Sequence, residues 1–136
     1  MKLIFCIDNR RGVMFNSRRQ SQDRELRRRV LSLVGGARLL MSPYSAKQFE
    51  DSDTVIADAK FLSLAGKDDY CFVEDTDITL DGCDEVIIYL WNRAYPADKY
   101  FEFNLAALGF ELTSSEDFKG YSHEKITEKI YKRTEQ

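Results

Sequence analysis

The sequence contains a single histidine, His123, and this scarcity narrows the chemistry open to the chain. Zinc sites built on several histidines lack ligands, and a Ser-His or Cys-His catalytic group has little to draw on. The residue stands alone between Ser122 and Glu124. We therefore expect His123 to be a surface or hydrogen-bonded residue rather than a catalyst.

Long apolar runs and a cysteine framework are also missing. No run approaches the roughly 18 apolar residues that cross a bilayer, and the apolar start at residues 1–8 is too short for a signal peptide and lacks a small-residue cleavage site. The three cysteines, Cys6, Cys71 and Cys83, are an odd number without Cys-x-x-Cys spacing. We expect reduced, buried or half-buried thiols in a cytoplasmic protein that holds no metal and contacts no membrane.

Familiar nucleotide and metal motifs are absent as well. Neither GxxxxGK[ST] nor GxGxxG occurs, although these loops supply the backbone N–H groups that hold phosphates in common nucleotide-binding folds. The His-x-His-x-Asp-His cluster of ribonuclease Z cannot be formed from one histidine, so that activity is excluded. No motif names a reaction.

What is present is typical of a globular protein. The 136 residues are 43% hydrophobic and 32% charged, which is enough for the core of one domain spanning 1–136 and too little for two. The net charge of −3 is unevenly placed, because residues 1–40 hold ten Lys or Arg against three Asp or Glu, which leaves −10 for the remainder. This basic third either follows phosphates or is a solvated face paired against the acidic remainder, and we favour the second interpretation.

Sequence periodicity predicts strands that alternate with helices and are followed by a run of strands. A helix at 21–34 places its apolar residues on one face and ends at Gly35. Shorter helices are predicted at 58–65 and at 45–49, the latter capped by Ser45. Strands are predicted at 2–8, 37–41, 54–57, 70–73, 86–91, 100–103 and 110–113, and a strand or a helix at 125–132, where Ile126 and Ile130 suit either period. This order indicates an α/β single domain whose mixed, mainly parallel central sheet is flanked by helices.

The segments resemble dihydrofolate reductase in their order. LIFCIDNRRGVMFNSRRQSQDREL at 3–26 looks like that family's first strand, loop and helix, and ARLLMSPYSAKQF at 37–49 looks like its second strand and following helix. The segments at 55–78, 84–118 and 122–133 are similar to its later strands. The resemblance implies a dihydrofolate reductase-like fold over most of the chain, with a deletion near residues 50–53.

The acidic stretch after the predicted strand 70–73 departs from this family. The family binds NADPH beside a glycine pair, and Glu74 and Asp75 stand at those positions. A carboxylate about 4 Å from a phosphate costs up to about 4 kcal/mol at an effective dielectric of about 20. Pro43 replaces the family arginine that meets the adenosine phosphate, and the deletion removes a flanking strand. We therefore predict a degenerate cofactor loop, no bound cofactor and no NADPH-dependent reduction.

The folate side of the resemblance supplies candidate ligand contacts. The family has an acidic residue before a leucine that protonates the pterin, and Glu25 matches it. Together with Arg29, one helical turn further, and Tyr89 on the strongest predicted strand, Glu25 is predicted to contact a small anionic or heterocyclic ligand other than dihydrofolate. The alternative for Glu25, which we favour, is an exposed ion pair with Arg28 or Arg29.

Two other functions stay open. The chain can be a nucleic-acid-binding or RNA-processing accessory protein, or a divergent reductase. The first of these would use a basic patch formed by Arg18, Arg19, Arg24, Arg27 and Arg28.

Overall fold

The computed structural model describes residues 1–50 and 52–134. Within them lie three α-helices and one 3-10 turn, at Arg24–Val34 (α1), Pro43–Ala46 (α2), Phe61–Leu64 (α3) and Lys47–Phe49. The strands are Lys2–Ile7 (β1), Gly12–Phe15 (β2), Arg18–Arg19 (β3), Leu39–Met41 (β4), Val55–Ala57 (β5), Tyr70–Phe72 (β6), Glu85–Leu90 (β7), Lys99–Tyr100 (β8), Phe110–Phe118 (β9) and Ile126–Arg133 (β10).

A seven-stranded sheet in the order β5-β4-β6-β1-β7-β10-β9 forms the centre of the molecule. The first five strands are parallel to their neighbours, whereas β10 runs antiparallel to both β7 and β9. Strand β1 lies in the middle, with β6 and β7 on its two sides, because its continuous apolar run is suited to burial on both faces. The predicted α/β class with a mixed, mainly parallel sheet is confirmed.

Each face of the sheet carries its own apolar layer. Helix α1 packs on one face through Leu26, Val30 and Val34, which meet Ile4, Ile87 and neighbouring side chains. The opposite face is covered by α3 and by the segment 101–110, whose Phe101, Leu105 and Phe110 are buried. A separate sheet of three short strands, in the order β3-β2-β8, lies beyond the end of β1.

Helix α1 begins later than predicted. Asp23 is extended (φ −154°, ψ 131°) and its carboxylate accepts hydrogen bonds from the backbone N–H groups of Glu25 and Leu26, so it is the N-cap and the helix starts at Arg24. The helix ends at Gly35, whose φ of 59° suits glycine, as predicted.

Three local predictions were wrong. No strand was predicted between residues 9 and 20, but this segment contains a hairpin, in which Asn16 and Ser17 form a two-residue turn with φ values of 57° and 63°. The strand expected at 100–103 is reduced to Lys99–Tyr100. Helix α2 is capped by Ser42 rather than Ser45, because Pro43 at the first helical position favours an extended residue before it.

The deletion predicted near residues 50–53 includes residue 51, which lies outside the described residues. Among the residues that are described, no helix has both the length and the apolar character needed to cross a membrane.

Candidate functional site

The predicted ligand contacts separate into two groups. Arg29 and Tyr89 meet on Glu128, a buried carboxylate that the sequence did not single out. The Tyr89 hydroxyl donates to Glu128 Oε2 over 2.8 Å, and Arg29 donates to both carboxylate oxygens over 3.1 and 3.2 Å. Arg29 also contacts Glu116. Glu25 does not join them and instead pairs with Arg28 at 3.4 Å, which is the exposed ion pair we favoured.

Electrostatics and packing hold this group together. The hydrogen bond to Glu128 raises the pKa of Arg29 above its ordinary value against the opposing effect of burial. Burial, reinforced by the nearby Glu128 charge, raises the pKa of Tyr89, so its proton stays on the phenol. The Arg29 guanidinium also lies 4.7 Å from the centre of the Phe118 ring. Glu128 therefore has both of its carboxylate oxygens engaged within the protein.

The acidic loop after β6 is tied to the N-terminal end of α2. Arg19 donates to Glu74 at two points, over 3.0 and 3.1 Å, and Ser45 donates to Glu74 over 2.8 Å. Asp75 accepts a hydrogen bond of 2.8 Å from Ser42, the α2 cap. Glu74 is buried despite its charge, which is tolerable because a charged partner and a hydroxyl satisfy it. The Ser42 and Ser45 hydroxyls at this helix end are therefore already bonded to Asp75 and Glu74.

Several arginines of the predicted basic patch are engaged in separate contacts within the protein. Arg19 is taken up by Glu74 and by the Tyr44 ring 4.5 Å away. Arg24 lies over the Tyr121 ring at 4.4 Å, and Arg27 donates to Gln22. Arg18, Arg24 and Arg28 are exposed, so α1 still presents cations to solvent.

His123 lies in the interior at the start of α1 and is a hydrogen-bonded residue, one of the two settings that the sequence predicted for it. It is 3% exposed. Its Nδ1 lies 2.8 Å from Asp23 Oδ2, and its Nε2 lies 3.1 Å from Ser21 Oγ and 3.0 Å from the Tyr95 hydroxyl. Trp91 stacks on the imidazole at 4.6 Å. Two elements distant in sequence therefore converge on one histidine.

Asp23 is the charged centre of this cluster. Besides capping α1, it accepts backbone N–H bonds of 2.8 Å from both Tyr121 and Ser122. Burial alone would raise the pKa of Asp23, but the hydrogen bonds from Tyr121, His123 and Ser122 outweigh it and lower the pKa well below the ordinary value. The carboxylate is therefore ionised at neutral pH.

Sequence reasoning missed Asp23, although a signal was present. An aspartate just ahead of an apolar-periodic helical segment is a common N-cap, and Asp23 stands three residues before Leu26. The partnership with His123 spans one hundred residues of sequence separation, and no local pattern indicates it.

A second buried carboxylate, Asp8, closes the loops at the end of β1. It accepts backbone N–H bonds from Arg10 and Gly12 over 2.8 Å and from Tyr95 over 2.9 Å. Burial opposes ionisation, but these bonds prevail and lower its pKa. Asp8 positions the Tyr95 segment beside His123 and has no accepting capacity to spare for a ligand.

Two cavities lie away from the Arg29 network. A groove of about 830 Å³ opens over the β1–β7–β10 face between residues 7–11 and 100–106, and Lys129 and Tyr131 form its floor. A smaller cavity of about 310 Å³ is bounded by the β2–β3 hairpin, Tyr95 and Pro96. Among the described residues, no group of three or more His, Cys, Asp or Glu side chains is placed to hold a metal ion.

Comparison with known proteins identifies the fold. No protein-family model and no curated protein matches the sequence. Among solved structures, dihydrofolate reductase from Enterococcus faecalis, complexed with NADP(H) and RAB-propyl, matches with a TM-score of 0.69 over 98% of this chain and 96% of that chain. The chain has a dihydrofolate reductase-like fold. Because only 8% of the residues are identical, the match establishes the fold and not the chemistry.

Proposed function

We propose that this chain binds a small anionic or heterocyclic ligand on a dihydrofolate reductase-like scaffold and does not catalyse NADPH-dependent reduction. The proposed lack of NADPH-dependent reduction rests on the ion pair between Arg19 and Glu74, whose two hydrogen bonds measure 3.0 and 3.1 Å. A donor set that would otherwise suit a phosphate is occupied by the protein's own carboxylate. Residues 73–84 form no helix, and at the helix end that this loop does meet, the N-terminus of α2, the Ser42 and Ser45 hydroxyls already donate to Asp75 and Glu74.

The energetic argument supports poor binding of a dinucleotide. A phosphate about 4 Å from one carboxylate meets a repulsion of up to about 4 kcal/mol at an effective dielectric of about 20. Half of that value is already more than a tenfold loss of affinity. Displacing Glu74 instead would leave a buried carboxylate without its cation, which is strongly unfavourable.

The groove of about 830 Å³ is the better place for the ligand. Its volume lies within the range of small-molecule sites, about 300 to 1,000 Å³. Arg10 and Lys129 line it and form no ion pair among the described residues, while Tyr100 and Tyr131 supply aromatic surface. This combination suits a flat anion. The predicted contacts Glu25, Arg29 and Tyr89 are a second location, less favoured because Glu128 already satisfies Arg29 and Tyr89.

A titration and a screen test both halves of the proposal. NADPH is titrated while its fluorescence and the melting temperature are followed, and we expect no saturation. A dissociation constant below about 10 μM, or roughly −7 kcal/mol, would contradict the loss of reductase function. The melting temperature is then screened against pterins, purines, nucleotides and aromatic carboxylates, using Lys129→Ala for the groove and Glu25→Gln for the second location. We expect a stabilising ligand whose effect is lost in Lys129→Ala, and a screen without any such ligand would contradict the binding role.

The alternative role in nucleic-acid binding is supported by the exposed Arg18, Arg24 and Arg28. If this surface follows phosphates, affinity for a generic RNA will fall steeply with salt because each phosphate contact releases counterions. Sub-micromolar binding at physiological salt would place this function first. We expect weaker binding, since Glu25 and Glu74 neutralise part of the patch.

A further inference from the structure

A chain of three reactive side chains lies at the start of α1, outside the groove and outside the Glu74 loop. Ser21 Oγ is 3.1 Å from His123 Nε2, and His123 Nδ1 is 2.8 Å from Asp23 Oδ2. Hydroxyl, imidazole and carboxylate thus follow one another within hydrogen-bond reach, in the order that activates a serine nucleophile. This arrangement is recognised by geometry rather than by sequence position, and it recurs on unrelated folds.

The surroundings fix the histidine in the form that such a relay requires. Asp23 cannot rotate away because the backbone N–H groups of Tyr121 and Ser122 hold it at 2.8 Å. An ionised carboxylate at Nδ1 accepts that nitrogen's proton, so in the neutral ring Nε2 is left as the acceptor that faces Ser21. Trp91, stacked at an interplanar angle of 27°, prevents the ring from turning. The base is therefore oriented before any substrate arrives.

Tyr95 places a second hydroxyl at the same nitrogen, 3.0 Å from His123 Nε2. One nitrogen lone pair cannot accept from both hydroxyls with good geometry, so one hydroxyl is available to donate elsewhere. The Tyr95 ring lines the cavity of about 310 Å³ beside the hairpin. The Tyr95 hydroxyl can consequently donate a hydrogen bond to the negative charge that develops on a substrate oxygen next to Ser21.

We propose that Ser21, His123 and Asp23 form a hydrolytic relay for small esters. Ser21 Oγ attacks the carbonyl carbon while its proton passes to His123 Nε2, and the Tyr95 hydroxyl donates to the resulting oxyanion. The tetrahedral species collapses, the ester C–O bond breaks, and the departing alkoxide takes the proton from Nε2. A water molecule then attacks the acyl-serine with His123 again as base, which releases the carboxylic acid and restores the Ser21 hydroxyl. Asp23 is a positioning residue, because it acts through His123.

The cavity beside the hairpin is lined by Tyr95 and by Gln20, the residue before Ser21, but not by Ser21 or His123, so it lies next to the relay and would receive the part of the substrate beyond the scissile bond. Its volume of about 310 Å³ lies at the small end of ligand sites, which selects short acyl groups. Arg18 lines the cavity, is exposed and forms no ion pair among the described residues. A short ester with a carboxylate at its far end therefore fits better than a neutral one.

Labelling with a fluorophosphonate tests the nucleophile directly. We expect one adduct for each chain, mapped to Ser21 by peptide mass spectrometry, and none at that position in Ser21→Ala, which removes one hydroxyl and leaves Asp23 and the fold in place. The control is Ser32→Ala, an exposed serine on α1, which should label like the parent. A parent protein without an adduct, or with labelling unaffected by Ser21→Ala, would overturn the proposal.

Hydrolysis tests the base and the substrate class. We expect p-nitrophenyl succinate to be cleaved faster than p-nitrophenyl acetate, and this preference to disappear in Arg18→Ala. Removing the base in His123→Gln should slow cleavage by about 10²-fold or more, while Tyr95→Phe should lower kcat with little change in KM. A rate that is independent of His123 would contradict the relay. Melting curves and near-ultraviolet circular dichroism identify variants that are folded and can be compared.

Discussion

A Cβ atom on Gly120 would lie 2.8 Å from Asp23 Oδ2 and 2.8 Å from the His123 carbonyl oxygen. The loop before β10 can therefore close around the Asp23 carboxylate only because residue 120 has no side chain. We expect Gly120→Ala to destabilise the protein by about 1 to 3 kcal/mol, the usual range for overpacking, as measured by urea unfolding.

The matched control is Gly36→Ala, where nothing lies within 4 Å of the added Cβ atom. This change should leave the free energy of unfolding unchanged or raise it by a few tenths of a kcal/mol, since alanine reduces the freedom of the unfolded chain. Equal effects of the two substitutions would show that the Asp23 loop is not tightly closed.

Acid should weaken the fold through Asp8 and Asp23. Both have pKa values below that of an unfolded aspartate, which is about 3.9. A lowered folded-state pKa adds stability at pH values above about 4, and this stability is lost as the pH falls through the folded-state value. In Asp8→Asn an amide NH₂ replaces an accepting oxygen, so this variant should be less stable than the parent at pH 7.

The difference in free energy of unfolding between the parent and Asp8→Asn should narrow from pH 7 to pH 3. The parent loses the stabilisation from its ionised Asp8 carboxylate as the pH falls, whereas the variant has no such carboxylate. Urea unfolding at several pH values measures this gap. Asp68→Asn, at an exposed position without a side-chain hydrogen bond among the described residues, is the control. A gap that stays constant from pH 7 to pH 3 would mean that Asp8 is not held as an ionised acceptor.

The fold was largely predictable because its signals are local. The apolar runs of β1 and β7 indicated strands buried on both faces, and Gly35 marked the end of α1. The hairpin at 12–19 was missed because Asn16-Ser17 is a rarer turn pair than Asn-Gly. The strand at 100–103 was overestimated: Phe101 packs on Phe5 at 4.9 Å, and the Phe101 carbonyl oxygen accepts from the Arg11 side chain instead of a neighbouring strand.

The sites were less predictable because their contacts are distant in sequence. Arg29 and Glu128 are 99 residues apart, and Asp23 and His123 are 100 apart. Whether the Glu25 or the Arg29 side chain faces the sheet depends on which residue of β10 lies beside it. That position is set by the register of the sheet and not by the local sequence. The resemblance pointed to Glu25 as the acidic residue, whereas the carboxylate that is buried at the start of α1 is Asp23.

The Tyr89 hydroxyl should contribute measurably to stability. It is fully buried and donates to Glu128 over 2.8 Å. A hydrogen bond to a charged partner contributes about 1.5 to 3 kcal/mol, and because Glu128 keeps Arg29 in Tyr89→Phe, we expect a loss near the lower value in urea unfolding. Tyr121→Phe, at a tyrosine that is 65% exposed, is the control and should change stability by less than about 0.5 kcal/mol. A neutral Tyr89→Phe would indicate that Glu128 is satisfied without it.

The three thiols should be unreactive in the native protein. Cys6, Cys71 and Cys83 are buried, and burial raises the pKa of both Cys71 and Cys83 to about 11. At pH 7 a thiol of that pKa is ionised in about one molecule in ten thousand, and the thiolate is the reactive species. Reaction with a disulfide reagent such as DTNB therefore requires the fold to open. With a stability of 5 kcal/mol or more, the open fraction is so small that the thiols react at least about 10³-fold more slowly than in the unfolded chain. We expect all three cysteines to react within the mixing time in guanidinium chloride and none to do so in buffer. Rapid native modification of one thiol, identified by peptide mass spectrometry, would show that the sheet opens locally around that strand.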